Sequence, residues 1–281
     1  MKKVSALNIL LLLLVLIGVF GCRWFQLSPA AIIRLKGSDT MQIIARAWAV
    51  DFMRKNSGVA VYVEGGGSAT GFKALSRGTI DIALASRLIR SPEAQALSQR
   101  FGKIGLSFLV AKDALSIYLN RDNPVGNLTL QQLKVIFTGQ AANWLTVGGR
   151  DAPIQVIIRP PTSGTYFYLK EHVLRDRAYA ATALTIPTTS AIVHFVARHP
   201  NAVGYGGLAY GLDIKHCRIN GVPATEEEVR KGRYPLTRYL YLYTVDKPQG
   251  AIRDFVDYVL SPAGQKIVAD VGYISIWLPE K

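Results

Sequence analysis

Three stretches of the chain combine glycine with serine or threonine: Gly37-Ser38-Asp39-Thr40, Gly65-Gly66-Gly67-Ser68-Ala69-Thr70-Gly71 and Thr162-Ser163-Gly164-Thr165. Each stands where a strand-like run gives way to a helix-like one. A helix start leaves about four backbone N–H groups unpaired and carries about half a positive charge. Glycine lets backbone come close to a guest, and hydroxyls add adjustable donors, so such a turn suits an anion. One alone is also an ordinary helix cap. Three in one α/β chain point to a shared crevice, because strand C-termini converge at a topological switch point. Arg159 ends the strand-like run Ile154–Ile158, four residues before Ser163, and Pro160-Pro161 bias it toward extended backbone. Its guanidinium either grips an oxyanion through two parallel hydrogen bonds or pairs with a carboxylate at the surface.

Bond-breaking chemistry finds no comparable support. A phosphate-cradling nucleotide loop needs GxxxxGK[ST], but Gly71 is followed by Phe72-Lys73-Ala74, and a GxSxG elbow around Ser68 fails at Thr70. His172, His194, His199 and His216 lack HExxH spacing, and His194 and His199 read as the solvated face or end of a helix. His216-Cys217 has no second pair at ligand spacing, so neither a metal nor another cofactor is expected, and Cys217 reads as a buried thiol acting as a small hydrophobe. The chain is expected to bind rather than catalyse.

The elements that must position these turns alternate. Ile32–Lys36 reads as a strand, and a helix runs from Thr40 to Lys55 with Ile44, Trp48 and Phe52 on one stripe. Val59–Val63 is a strand, Ser68–Arg77 a helix and Ile80–Ala85 a buried strand, which is the βαβ pattern of a parallel sheet. A second lobe follows, with strands at Leu115–Asn120, Ile154–Ile158 and Val203–Tyr205. Its helices are capped by Thr129, started by Thr162–Thr165, and formed by Thr189–Arg198. Arg238–Thr244 reads as a strand leading out of that lobe, and Gln249–Leu260 and the segment after Ser261-Pro262 read as helices.

Composition narrows the rest. The chain has 281 residues, 33 Lys+Arg against 19 Asp+Glu, and 49% hydrophobic residues. That apolar share excludes disorder, and two cysteines exclude a disulfide scaffold. The length allows one or two domains. The +14 charge is scattered, without a polybasic run or nucleic-acid motif, so no nucleic-acid partner is expected; a small anion or a membrane surface remains. Lys2, Lys3, the apolar run Ile9–Phe20 and Gly21-Cys22 form a secretory signal over residues 1–21. Val19-Phe20-Gly21-Cys22 resembles the bacterial lipobox, which implies a lipidated Cys22 and a linker over 22–30; the alternative is an uncleaved membrane anchor. Either places the rest of the chain outside the cytoplasm, tethered to a membrane.

Leu35–Met41, Gly65–Gly71, Asp81–Arg87 and Arg159–Thr165 together resemble, in order and spacing, the PstS-like phosphate-binding proteins, the extracytoplasmic receptors of phosphate ABC transporters. The resemblance spans Ile33 to the C-terminus. It implies an α/β, two-lobed periplasmic-binding-protein fold (type II) with the ligand cleft between the lobes, lobe one being 31–112 plus 246–281 and lobe two 113–245. It implies inorganic phosphate as ligand, an ABC permease with its ATPase as partner, a lipid-anchored periplasmic or cell-surface location, and a monomer. Carried over by position, Ser38, Thr40, Ser68, Ser86, Arg159, Ser163, Gly164 and Thr165 hold the ligand. The best-known phosphate receptors place an aspartate after the Ser86 position to accept the proton of phosphate, whereas this chain has Arg87. Asp39 either supplies the missing acceptor or caps the Thr40 helix; Arg87 either adds positive charge to the cleft or faces solvent. Sulfate, molybdate or another oxyanion, and a phosphate-sensing or surface-interaction role, are the alternatives.

Overall fold

The computed structural model describes residues 31–211 and 213–277. The expected signal segment, Cys22 and the linker therefore lie outside the described residues. The described residues form ten strands: β1 (Ala31–Gly37), β2 (Val59–Glu64), β3 (Ile82–Ala85), β4 (Leu106–Leu119), β5 (Asn127–Leu128), β6 (Gln155–Ile158), β7 (Leu184–Thr185), β8 (Ala202–Gly207), β9 (Lys215–Ile219) and β10 (Thr237–Thr244). The main path runs β2-β1-β3-β10-β4-β8-β6-β7, with β9 alongside β4 and β5. β1 is parallel to β2 and β3, and β6 is parallel to β7 and β8, as the βαβ reading requires.

The two halves are joined by a pair of antiparallel strands. β4 pairs with β10 from Leu106 to Ala114 and with β8 from Leu115 to Leu119. Ile33, Leu35, Ile44, Trp48, Phe52, Leu84, Leu240 and Leu242 share one core, while Leu115, Leu133, Phe137, Trp144, Val203 and Leu236 share another. Only the second half of β4 is expected from the sequence, as the run Leu115–Asn120; the strand extends back through Asp113 and Lys112 to Leu106. Asp113 is nevertheless fully buried, and its partner explains how.

Helices follow the anticipated stripes. Gln42–Lys55 buries Ile44, Trp48 and Phe52, and the indole N–H of Trp48 donates to the Gly264 carbonyl at 2.8 Å. Burial of each of the two smaller side chains contributes about 1.5–3 kcal/mol. Thr129 caps Leu130–Phe137 in a reciprocal box with Gln132, and Ser261 caps Pro262–Asp270. Thr188 caps Thr189–Arg198. The helix Gly164–Leu169 widens into a π-turn over Lys170–Leu174. Ser91–Phe101, absent from the sequence reading, is closed by Gly102 in the left-handed conformation. Cys217 is a buried free thiol, and burial pushes its pKa up to about 12. No described helix is long and apolar enough to cross a membrane.

Candidate anion-binding site

Strand ends bring the three glycine-bearing turns together. β1 ends in Gly37, and Asp39–Met41 form a 3-10 turn whose approach is held by the Ser38 N–H donating to the Leu84 carbonyl at 2.8 Å. β2 runs into Gly65–Gly67, and the helix Ser68–Ser76 begins there. Gly67 has φ 100°, a left-handed value that favours glycine, and its N–H donates to the Gly37 carbonyl at 2.8 Å. β3 delivers Ser86, whose N–H donates to Ser68 Oγ at 3.2 Å. These contacts weld one half of the site from consecutive strand ends of a single lobe.

The second lobe supplies the opposing turn. Ser163 caps the helix Gly164–Leu169, its Oγ accepting from the N–H groups of Thr165 and Tyr166 at 3.2 and 3.4 Å. Because that oxygen accepts both bonds, its own hydrogen remains a donor. A Cβ at Gly164 would lie 2.5 Å from the Oγ atoms of both Ser68 and Ser86. Glycine is required there for the turn to seat on the serines. Thr40 Oγ1 and Thr165 Oγ1 stand 3.1 Å apart, and the Ala69 N–H donates to the Thr162 carbonyl at 3.1 Å. All the residues expected at the first, second and last turns are thus buried in one place.

Arg159 is 1% exposed, so its surface alternative does not hold. Its Nη1 donates to Thr189 Oγ1 at 2.7 Å and lies 3.1 Å from Asp39 Oδ2, while its backbone N–H donates to the Tyr205 hydroxyl at 3.1 Å. Burial lowers the Arg159 pKa, and the neighbouring Asp39 carboxylate opposes that shift. A guanidinium starts so high that it stays cationic near neutral pH. Its Nε has no hydrogen-bond partner among the described residues, although it is buried. A buried charged donor without an acceptor is costly, and an oxyanion supplies one. Asp39 does not cap the Thr40 helix. Its carboxylate crosses to the other lobe, where Oδ2 accepts from the Thr189 N–H at 2.8 Å, at the start of Thr189–Arg198.

Arg87 occupies neither of the two expected settings cleanly. It is 9% exposed, not solvent-facing, and both terminal nitrogens donate to Glu93 at 2.8 and 2.6 Å. The guanidinium lies between the rings of Phe72 and Phe167, at 5.3 and 5.6 Å from their centroids.

Arg238 and its partner Asp113 are among the site residues that escape the sequence reading. Arg238 on β10 is 2% exposed; its Nε and Nη2 donate to Asp113 Oδ2 at 2.9 and 2.7 Å. Its Nη1 donates to Thr165 Oγ1 at 2.8 Å and its Nη2 to Thr40 Oγ1 at 3.2 Å. The available signal was parity: Arg238 falls on the same side of the alternating strand as Leu240 and Leu242, so it had to be buried and therefore paired.

Residues 26–263 match the PBP superfamily domain model. The phosphate-binding protein PstS of Pseudomonas aeruginosa is 31% identical over 263 residues, covering 85% of this chain and 81% of that protein. The chain belongs to the PstS-like phosphate-binding proteins. The PstS of Bacillus subtilis is 32% identical over 245 residues, covering 86% of this chain and 80% of the relative. A Clostridium perfringens substrate-binding protein solved with bound phosphate superposes with a TM-score of 0.81 at 29% identity, covering 88% of this chain and all of that one (100%). An ABC-type phosphate transport receptor from Vibrio cholerae gives 0.71 at 29% identity, covering 87% and 99%. The two-lobed α/β architecture is therefore that of the PstS-like fold.

Proposed function

We propose that this PstS-like protein captures inorganic phosphate outside the cytoplasm and delivers it to an ABC permease and its ATPase. The observation that carries the reading is the position of the buried Arg159, its Nε unpartnered among the described residues, beside turns whose hydroxyls and amides are donors; the Nε of Arg87 is likewise unpartnered, but Glu93 already takes both of that residue's terminal nitrogens. Relatives named for phosphate binding, and a neighbour solved with bound phosphate, support the choice of anion. The bodies that close are taken as 31–112 with 246–281, and 113–245, with β4 and β10 as the hinge. Ser38, Thr40, Ser68, Ser86, Ser163, Gly164 and Thr165 supply hydroxyl and amide donors around the anion, and Arg159 supplies the fork. Asp39 accepts the proton of phosphate; Arg87 stands next to Ser86 with its charge held by Glu93. A lipidated Cys22 tethers a monomer to the membrane.

A second reading, a receptor for sulfate, molybdate or another oxyanion, is favoured by one feature: an arginine, not a carboxylate, follows Ser86. Titration calorimetry decides between them. Phosphate is expected to bind and excess sulfate to leave that binding unchanged, whereas Arg159→Ala abolishes it while far-ultraviolet dichroism stays native. Wild-type affinity in that variant would sink the assignment of the site.

A further inference from the structure

Asp113 and Arg238 face each other in register across β4 and β10, the two strands that join the lobes. Arg238 reaches from that seam to a hydroxyl of each lobe: Thr165 in lobe two and Thr40 in lobe one. We infer that Arg238, aimed by Asp113, is a positioning residue that holds the Thr40 and Thr165 hydroxyls as donors to the bound anion. The inference rests on the anion-binding reading above and adds to it a group placed outside the three turns.

The chemistry is one of lone pairs and hydrogens. A guanidinium only donates, so both threonine oxygens must accept from it. Each hydroxyl then keeps its own hydrogen for another acceptor. One of those hydrogens can serve the bond between the two hydroxyls at 3.1 Å, and the other has no acceptor among the described residues. An oxyanion between the lobes takes both. Without Arg238 each hydroxyl is free to rotate and to satisfy itself locally, and the donor orientation is lost. Asp113 matters because it fixes the fork: it takes Nε and Nη2 of Arg238 and, through Oδ1, the Leu208 N–H at 3.1 Å. Lysine cannot reproduce this geometry, since it presents a single point charge instead of a planar fork.

A double-mutant cycle read by phosphate calorimetry tests the proposal. Arg238→Met is expected to weaken phosphate binding about thirtyfold, and in a Thr165→Val background the same change costs only about fivefold, because its effect passes through the hydroxyl. A purely architectural arginine would give the same fold-loss in both backgrounds, and that result overturns the proposal. Should Arg238→Met fail to fold with Asp113 left alone, the Asp113→Asn/Arg238→Gln chain, which leaves no lone buried charge, takes its place in the cycle. If the wild type binds sulfate or molybdate but not phosphate, the phosphate reading falls and the cycle run with that anion decides the role of Arg238. If it binds no tetrahedral oxyanion, both fall.

Discussion

Of the three buried arginines at the turns, Arg87 and Arg159 are set apart by their carboxylates. Arg87 is clasped by Glu93 six residues on, within one lobe, with both terminal nitrogens engaged. Arg159 meets Asp39 through Nη1 alone, and that carboxylate belongs to the opposite lobe. The first pair can persist whatever the lobes do; the second exists only when they touch. Burial of an arginine therefore says little about its task. The address of its counter-charge says more. A buried pair is poor evidence of stability but good evidence of a fixed geometry when it spans two bodies.

The largest expected effect breaks that comparison directly. Arg159→Lys should weaken anion binding by about a hundredfold, since the fork and its charged hydrogen bonds are lost, while Arg87→Lys should change affinity by less than about threefold and instead lower the melting temperature by about 2–4 °C. Calorimetry and thermal melting on both variants read this out, and equal affinity losses would erase the distinction. Next in size, Gly164→Ala should weaken binding by about tenfold or more, because its Cβ would sit 2.5 Å from the Ser68 and Ser86 hydroxyl oxygens and hold the lobes apart. Small-angle scattering should then lack the anion-induced compaction expected of the wild type; retained compaction would show that the lobes meet in another way.

The smallest effect concerns what supports Arg159. Burial pushes the Tyr205 phenol up to about 12, although the Arg159 N–H it accepts pulls the other way. The native phenol keeps its proton while that of the unfolded chain ionises near pH 10. Its stabilising contribution is thus complete below pH 10 and is lost as the pH climbs toward 12. Tyr205→Phe should cost about 1 kcal/mol at neutral pH. That cost should shrink across the alkaline window when denaturant unfolding is repeated there. A gap that stays constant with pH would remove Tyr205 from the account.

Much of this was legible from residue order. The three turns advertise themselves because glycine, hydroxyl and helix start are local signals, and Arg159 lies within a few residues of one of them. The stripe of Ile44, Trp48 and Phe52 and the cap at Thr129 were readable for the same reason. Asp113 and Arg238 were not, since 125 positions separate them and their pairing needs β10 to return between β3 and β4. The link from Asp39 to the Thr189 helix was hidden likewise, because a side chain three residues into the first turn gives no hint that its partner lies in the other lobe.

Where main chain meets main chain across the cleft, at Ala69 and Thr162, no side chain intervenes, and a Cβ on Gly67 would overlap the Thr162 carbonyl. Any side chain at Gly67 would separate the two bodies at this point, so their fit against each other is set there by main chain alone.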